Sequence, residues 1–133
     1  MVQSVRHVVP WVLLAVSGCV TVSKSVLVDR SDMPVPLEDV YVFLPGDVVP
    51  EDCERVAILS AEGDEDLTDQ AEMIDKMREE TGKLGGNALL LEEVEEPGLG
   101  ERVLAAVTET SAERRASAQS LWCPSRAEGP TLR

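Results

Sequence analysis

The chain has 133 residues, enough for one domain, and its 25 acidic against 12 basic residues leave a net charge of −13. A field of that sign repels nucleic acid and anionic lipid surfaces, which argues against DNA or RNA as a partner. It leaves solubility as the plain account of the acids, and a basic partner or divalent cations as the sharper ones. Past Trp11 the only aromatic residues are Tyr41, Phe43 and Trp122, so a core has to be built mainly from Val, Leu, Ile, Ala and Met.

Residues 1–7 carry Arg6 and no acid, and Val8 to Val16 is an uninterrupted apolar run. A run of about nine residues has the size of a signal-peptide core, whereas a membrane-spanning helix needs about 20. Pro10 inside the run argues the same way. Val16-Ser17-Gly18-Cys19 follows, and this resembles the lipobox of bacterial lipoproteins: a branched aliphatic, two small residues, then cysteine. The residue types suit the chemistry. The thiol of Cys19 is the nucleophile that would accept a diacylglyceryl group, and small residues before it let an extended backbone enter a peptidase cleft. Cleavage would leave Cys19 as a new N-terminus open to a further acyl chain such as palmitate, and two or more chains make a stable anchor. The competing reading is an ordinary secretory signal with an incidental cysteine. With the first 18 residues removed, 11 basic and 25 acidic residues remain, a net charge of −14. Val20 and Thr21 follow Cys19, where an Asp would resemble the inner-membrane retention signal of enteric bacteria. The expected address is therefore the cell envelope, periplasm or outer membrane, with the lipid anchor at the outer membrane favoured.

Residues 19–38, rich in Ser, Thr, Asp and Pro, read as a flexible tether, with Val26-Leu27-Val28 as a possible short strand. Residues 39–124 read as the globular domain and 125–133 as a disordered tail. Val40 to Leu44 is β-branched and aromatic and reads as a strand, closed by the turn signal Pro45-Gly46-Asp47. Val56 to Leu59 is a second strand, broken at Gly63-Asp64-Glu65-Asp66. Met73, Ile74, Met77, Thr81 and Leu84 then share one helical face, with Asp66 or Asp69 as cap and acids crowding the first turn. Gly85-Gly86-Asn87 stops this helix, because Gly and Asn tolerate the left-handed conformation of a C-cap. Ala88 to Leu91 reads as a buried strand. Pro97 to Gly100 is a loop, Arg102 to Thr108 a strand, and Ala116 to Cys123 another, with an Ala-rich helix over Thr110 to Leu121 as the alternative. The fold class expected is α+β: a small sheet of 3–5 strands with one principal helix packed on one face, containing a βαβ unit or its split relative.

With Cys19 spoken for, Cys53 and Cys123 remain. In an oxidising envelope an even pair in a small domain bonds more often than not. Closing that loop of about 70 residues would stabilise the fold by roughly 4 kcal/mol on the chain-entropy model. The alternative is two free thiols. His7, the one histidine, lies in the segment to be removed, so the mature chain lacks an imidazole for Ser-His, Cys-His or His-metal chemistry. Asp64, Asp66 and Asp69 invite a calcium-loop reading, but Asp69 stands where that loop needs glycine and Asp75 where it needs glutamate. Glu92, Glu93, Glu95 and Glu96 read as the solvated end of a strand. Gly82, Gly85 and Gly86 run from helix to strand, the wrong order for a phosphate loop. No catalytic site, metal site or cofactor is expected.

Cys53-Glu54-Arg55-Val56-Ala57, the helix, Lys83 to Leu91 with its Leu84-Gly85-Gly86-Asn87-Ala88 turn, and Trp122-Cys123-Pro124 together resemble small envelope lipoprotein domains. These include the stress-sensor lipoprotein of the Rcs phosphorelay and lipoproteins with a Leu-Gly-Ala-Asn-Ala-Val motif; the cytoplasmic YbjQ-like domains look similar in the same helix–turn–strand. The resemblance spans residues 40–124. It implies that Gly85, Gly86 and Asn87 form the tight turn delivering Ala88 into a central strand, and that Cys53 and Cys123 are bridge-formers. The chain departs from the Rcs sensor in having cysteines for one bridge rather than two, and in a tether that is short and not basic. The function expected is a lipid-anchored, non-catalytic binding or sensor module, held to the membrane by Cys19 and working through contact with an unidentified envelope protein. A thiol-redox or metal-buffering envelope protein is the alternative.

Overall fold

A computed structural model describes residues 20–64, 68–108 and 112–127, apart from the side chain of Glu93. Five strands form one mixed sheet in the order β1-β3-β5-β4-β2: β1 (Thr21–Val26), β2 (Tyr41–Phe43), β3 (Glu54–Asp64), β4 (Ala88–Glu95) and β5 (Glu113–Trp122). Three helices accompany it, α1 (Gln70–Lys83), α2 (Leu99–Thr108) and α3 (Pro124–Ala127), with a 3-10 turn at Leu37–Asp39. The expected α+β character is what the chain has. β5 is antiparallel to both β3 and β4, so β3 and β4 run parallel with β5 between them. β3–α1–β4 is thus a βαβ unit split by a later strand.

The periodicity of α1 decides where the core sits. Met73, Met77 and Thr81 are fully buried and Leu84 nearly so, facing Val56, Ala57, Leu59, Ala61, Leu89, Leu91, Ala116 and Ala118 of the sheet. Small alanines on β3 and β5 let the long methionine side chains fill the gap between helix and sheet. Asp69 caps α1 by accepting the Glu72 N–H at 2.7 Å. At the other end the Gly86 N–H reaches back to Thr81 O (2.9 Å) and the Gly85 N–H to Gly82 O (3.0 Å). That is a Schellman closure with Gly85 at φ +82°.

Four expectations are corrected. The span 19–38 is not a tether over its described part. Thr21–Val26 is the edge strand β1, paired residue by residue with Glu62–Ala57, and the segment after it lies on α1. There the Val35 N–H donates to Gly82 O at 2.8 Å, and Arg78 donates to Leu37 O and Val40 O. β3 does not break at Gly63 but runs through Asp64, because Gly63 and Asp64 pair with Arg114 and Glu113. Arg102 to Thr108 is the greater part of α2 rather than a strand. Residues 125–127 belong to α3 rather than to a loose tail. Among the described residues, no helix is long and apolar enough to cross a membrane.

Candidate functional site

Glu54 and Trp122 are the last paired residues of β3 and β5 at one end of the sheet. Cys53 and Cys123 are the next residues along each strand, and there they bond, with Cα atoms 4.1 Å apart and a sequence separation of 70. Cys123 is fully buried, in a small cluster with Phe43, Ala88 and Leu121 on the sheet face away from α1. Antiparallel pairing, rather than any local motif, brings these two sulfurs together.

Asn87 holds this end in place. Its backbone N–H donates to Leu121 O (2.9 Å) and its own carbonyl accepts from Tyr41 N (3.0 Å). Its buried side chain then does what a further β residue would do. The amide Nδ2 donates to Cys123 O at 2.8 Å, and Oδ1 accepts from Cys123 N at 2.7 Å. The carboxamide extends the β4–β5 ladder by one pair beyond Ala88–Leu121 and leaves both backbone groups of the buried cysteine satisfied. The two glycines before it are required by space. A Cβ at Gly85 would fall on the Arg30 carbonyl, and one at Gly86 would lie 2.6 Å from Ser120 Oγ. Gly85, Gly86 and Asn87 therefore form the turn that the sequence assigns to them, and Asn87 also carries the grip on Cys123.

Beyond Cys123 the chain folds back. Asp52 accepts from the Ser125 N–H (2.8 Å) and the Ser125 hydroxyl (3.0 Å) at the start of α3. The Arg126 guanidinium carbon lies 3.5 Å from the centre of the Tyr41 ring, which meets Phe43 edge-on at 4.8 Å. Tyr41 is half exposed, and Leu44 and Val48 on the adjoining loop are exposed. An aromatic ring capped by an arginine and flanked by apolar side chains has the composition of a protein-contact surface. Sequence reasoning missed this grouping. Its only signals were the alternation Tyr41-x-Phe43, which puts both rings on one face, and a basic residue shortly after Cys123.

Several of the described acids are held in hydrogen bonds or ion pairs. Glu96 takes the Arg114 Nε and Nη2 at 2.9 and 3.0 Å, Gln119 donates to Glu92, and Arg114 donates to Thr68 O. On α1, the Lys24 ammonium lies 2.8 Å from Glu80 and, through that hydrogen bond, holds its carboxyl below the usual carboxylate range. Glu79 is lowered by its hydrogen bond to Lys83. The face of the sheet away from α1 has a shallow depression of about 200 Å³ between Ser60, Glu62, Glu95, Arg115 and Ser117. Glu62 sits 3.8 Å from Arg115, whose charge is reinforced chiefly by Glu113. Of the calcium-loop candidates, Asp69 is spent on the helix cap and Asp66 lies outside the described residues. No group of three or more potential metal ligands occurs among those described. Cys19 also lies outside the described residues. No protein-family model, curated protein or solved structure matches this chain.

Proposed function

We propose that the chain is an envelope lipoprotein, anchored through acylated Cys19 at the outer membrane, whose domain is a non-catalytic binding module acting through protein contacts. The observation that carries this reading is the Cys53–Cys123 bond, built into the end of the ladder and gripped by Asn87. A bond so placed fits an oxidising compartment, and it accounts for two of the three cysteines. The third stands behind an apolar run and two small residues, where an acyl acceptor would be. The likeness to the Rcs stress-sensor lipoprotein and the YbjQ-like fold, with one sheet and one principal helix, is part of the proposal. The contact surface is the Tyr41–Arg126 stack with Leu44 and Val48, which are exposed, rather than the depression, where the acid is already paired to arginine.

The test is the intact mass of the protein purified from its native membrane, before and after reduction. The mass expected lacks residues 1–18, carries acyl chains on Cys19, and gains two hydrogen atoms on reduction. A mass without acyl chains would refute the anchor. Two free thiols in the native protein would refute the compartment and revive the redox alternative.

A further inference from the structure

Helix α2 is amphipathic in the inverted sense. At about 100° per residue, Leu99, Val103, Val107 and Leu104 fall on one broad arc, with Glu101, Arg102 and Ala105 on the other. The polar arc, itself largely exposed, carries contacts to the rest of the protein. Glu101 accepts from the Glu113 N–H, Arg102 reaches Glu96 at 3.9 Å, and Ala105 is buried. The apolar arc faces out: Leu99 is 80% exposed, Val107 77%, Leu104 63% and Val103 57%. Four large aliphatic residues turned to water on one helix mark a surface that something covers.

The strand register says what covers it. Thr21, Glu62, Arg115 and Glu95 lie in one row across β1, β3, β5 and β4. Glu95 ends β4, four residues before α2 begins, and Thr21 opens β1, two residues after Cys19. Two residues of chain span at most about 7 Å. Chain length alone therefore keeps Cys19 within that distance of Thr21, at the end of the sheet that carries α2, and the Cys53–Cys123 bond is at the opposite end.

We propose that the outward face of α2 is a membrane-contact surface that lies on the lipid bilayer beside the anchor, with Leu99, Val103, Leu104 and Val107 entering the headgroup boundary. This rests on the lipoprotein reading above and adds an orientation to it: α2 toward the lipid, the Tyr41–Arg126 surface away from it. The contact is apolar. Glu95, Glu96 and Glu113 stand nearby and the chain is strongly acidic, so the surface suited to it is zwitterionic rather than anionic.

The experiment uses the full acylated protein in phosphatidylcholine vesicles, some made with lipid brominated near the top of the acyl chain. One variant carries Val107→Trp, another Val48→Trp at the disulfide end, where Val48 is 91% exposed. Both sites are open enough that folding is undisturbed, and the native Trp122 sets the background. The expected result is a blue shift and loss of emission to brominated lipid for Trp at 107, and neither for Trp at 48. Protein that floats with vesicles through Cys19 but shows no quenching at 107 overturns this proposal and leaves the anchor standing. Protein without acyl chains that fails to float sinks the anchor and this proposal together. A dimer in sedimentation that Val107→Asp dissolves, with no quenching, makes the occupant a second copy and also overturns it.

Discussion

The two ends of the sheet are held by different means. At the disulfide end a covalent bond, a buried carboxamide, a Schellman turn and an arginine stacked on tyrosine converge within a few residues of Cys123. At the other end α2 is fastened by exposed polar contacts and one buried alanine, and its apolar side chains face outward. The first arrangement holds the fold itself together. In the second, burial is left for something outside the fold to complete. One small sheet can thus be rigid where β3, β4 and β5 are tied together and lightly held where it meets another surface.

The largest test of this contrast is removal of the bond. Cys53→Ser with Cys123→Ser should lower stability by roughly 4 kcal/mol, within the usual 2–5, measured by denaturant unfolding. A loss below about 1 kcal/mol would mean that the disulfide end owes little to its bond. Asn87→Ala comes next. It strands the Cys123 N–H in a buried site, while the Cys123 carbonyl keeps the Arg126 N–H at 3.0 Å, and should cost about 1–3 kcal/mol. Gly85→Ala should cost about 1–2 kcal/mol from the positive φ alone, and more from the Arg30 carbonyl it would strike.

Smaller is the link between edge strand and helix. The Glu80 carboxyl is lowered in the folded chain, so its contribution is fully present above the ordinary carboxylate value and is lost as pH falls through the folded one. Glu80→Gln should remove about 0.2–1 kcal/mol at neutral pH and nothing below that window. Subtracting the variant's pH profile from the parent's isolates this effect from the relief of acid–acid repulsion, which has the opposite sign. Smallest is Leu104→Ser with Val107→Ser, expected within about 0.5 kcal/mol of the parent by the same unfolding measurement. A large destabilisation there would show that α2 packs inward after all and would erase the contrast between the ends.

Legibility in the sequence followed the same division. α1 and its stop were readable because Met73, Met77, Thr81 and Leu84 repeat at helical spacing before two glycines, and the core they enter lies under them. β1 was not, since in Thr-Val-Ser-Lys-Ser-Val the residues are mostly small or polar, as an edge strand with only part of one face covered allows. α2 was misread for a physical reason. Val103-Leu104-Ala105-Ala106-Val107 looks like a run destined for a core, and the periodicity rule assumes that apolar residues point inward. Here Glu101 and Arg102 make contacts to the protein while the aliphatic side chains stay exposed. The bond was readable as an even pair of cysteines. The Arg126–Tyr41 stack and the Asp52–Ser125 contact were not, because they depend on the chain folding back after Cys123.

The carboxamide of Asn87 has a consequence for assembly. It grips the backbone of Cys123 rather than its sulfur, so the grip does not depend on the oxidation state of the thiol. A chain that has folded before oxidation already holds Cys123 at the end of its ladder, opposite Cys53, and presents the oxidant with a matched pair. By thermodynamic reciprocity, whatever the bond adds to the fold, the fold adds to the bond's resistance to reductants. Asn87, with no sulfur chemistry of its own, thereby helps to set how strongly reducing an environment must be to open this protein.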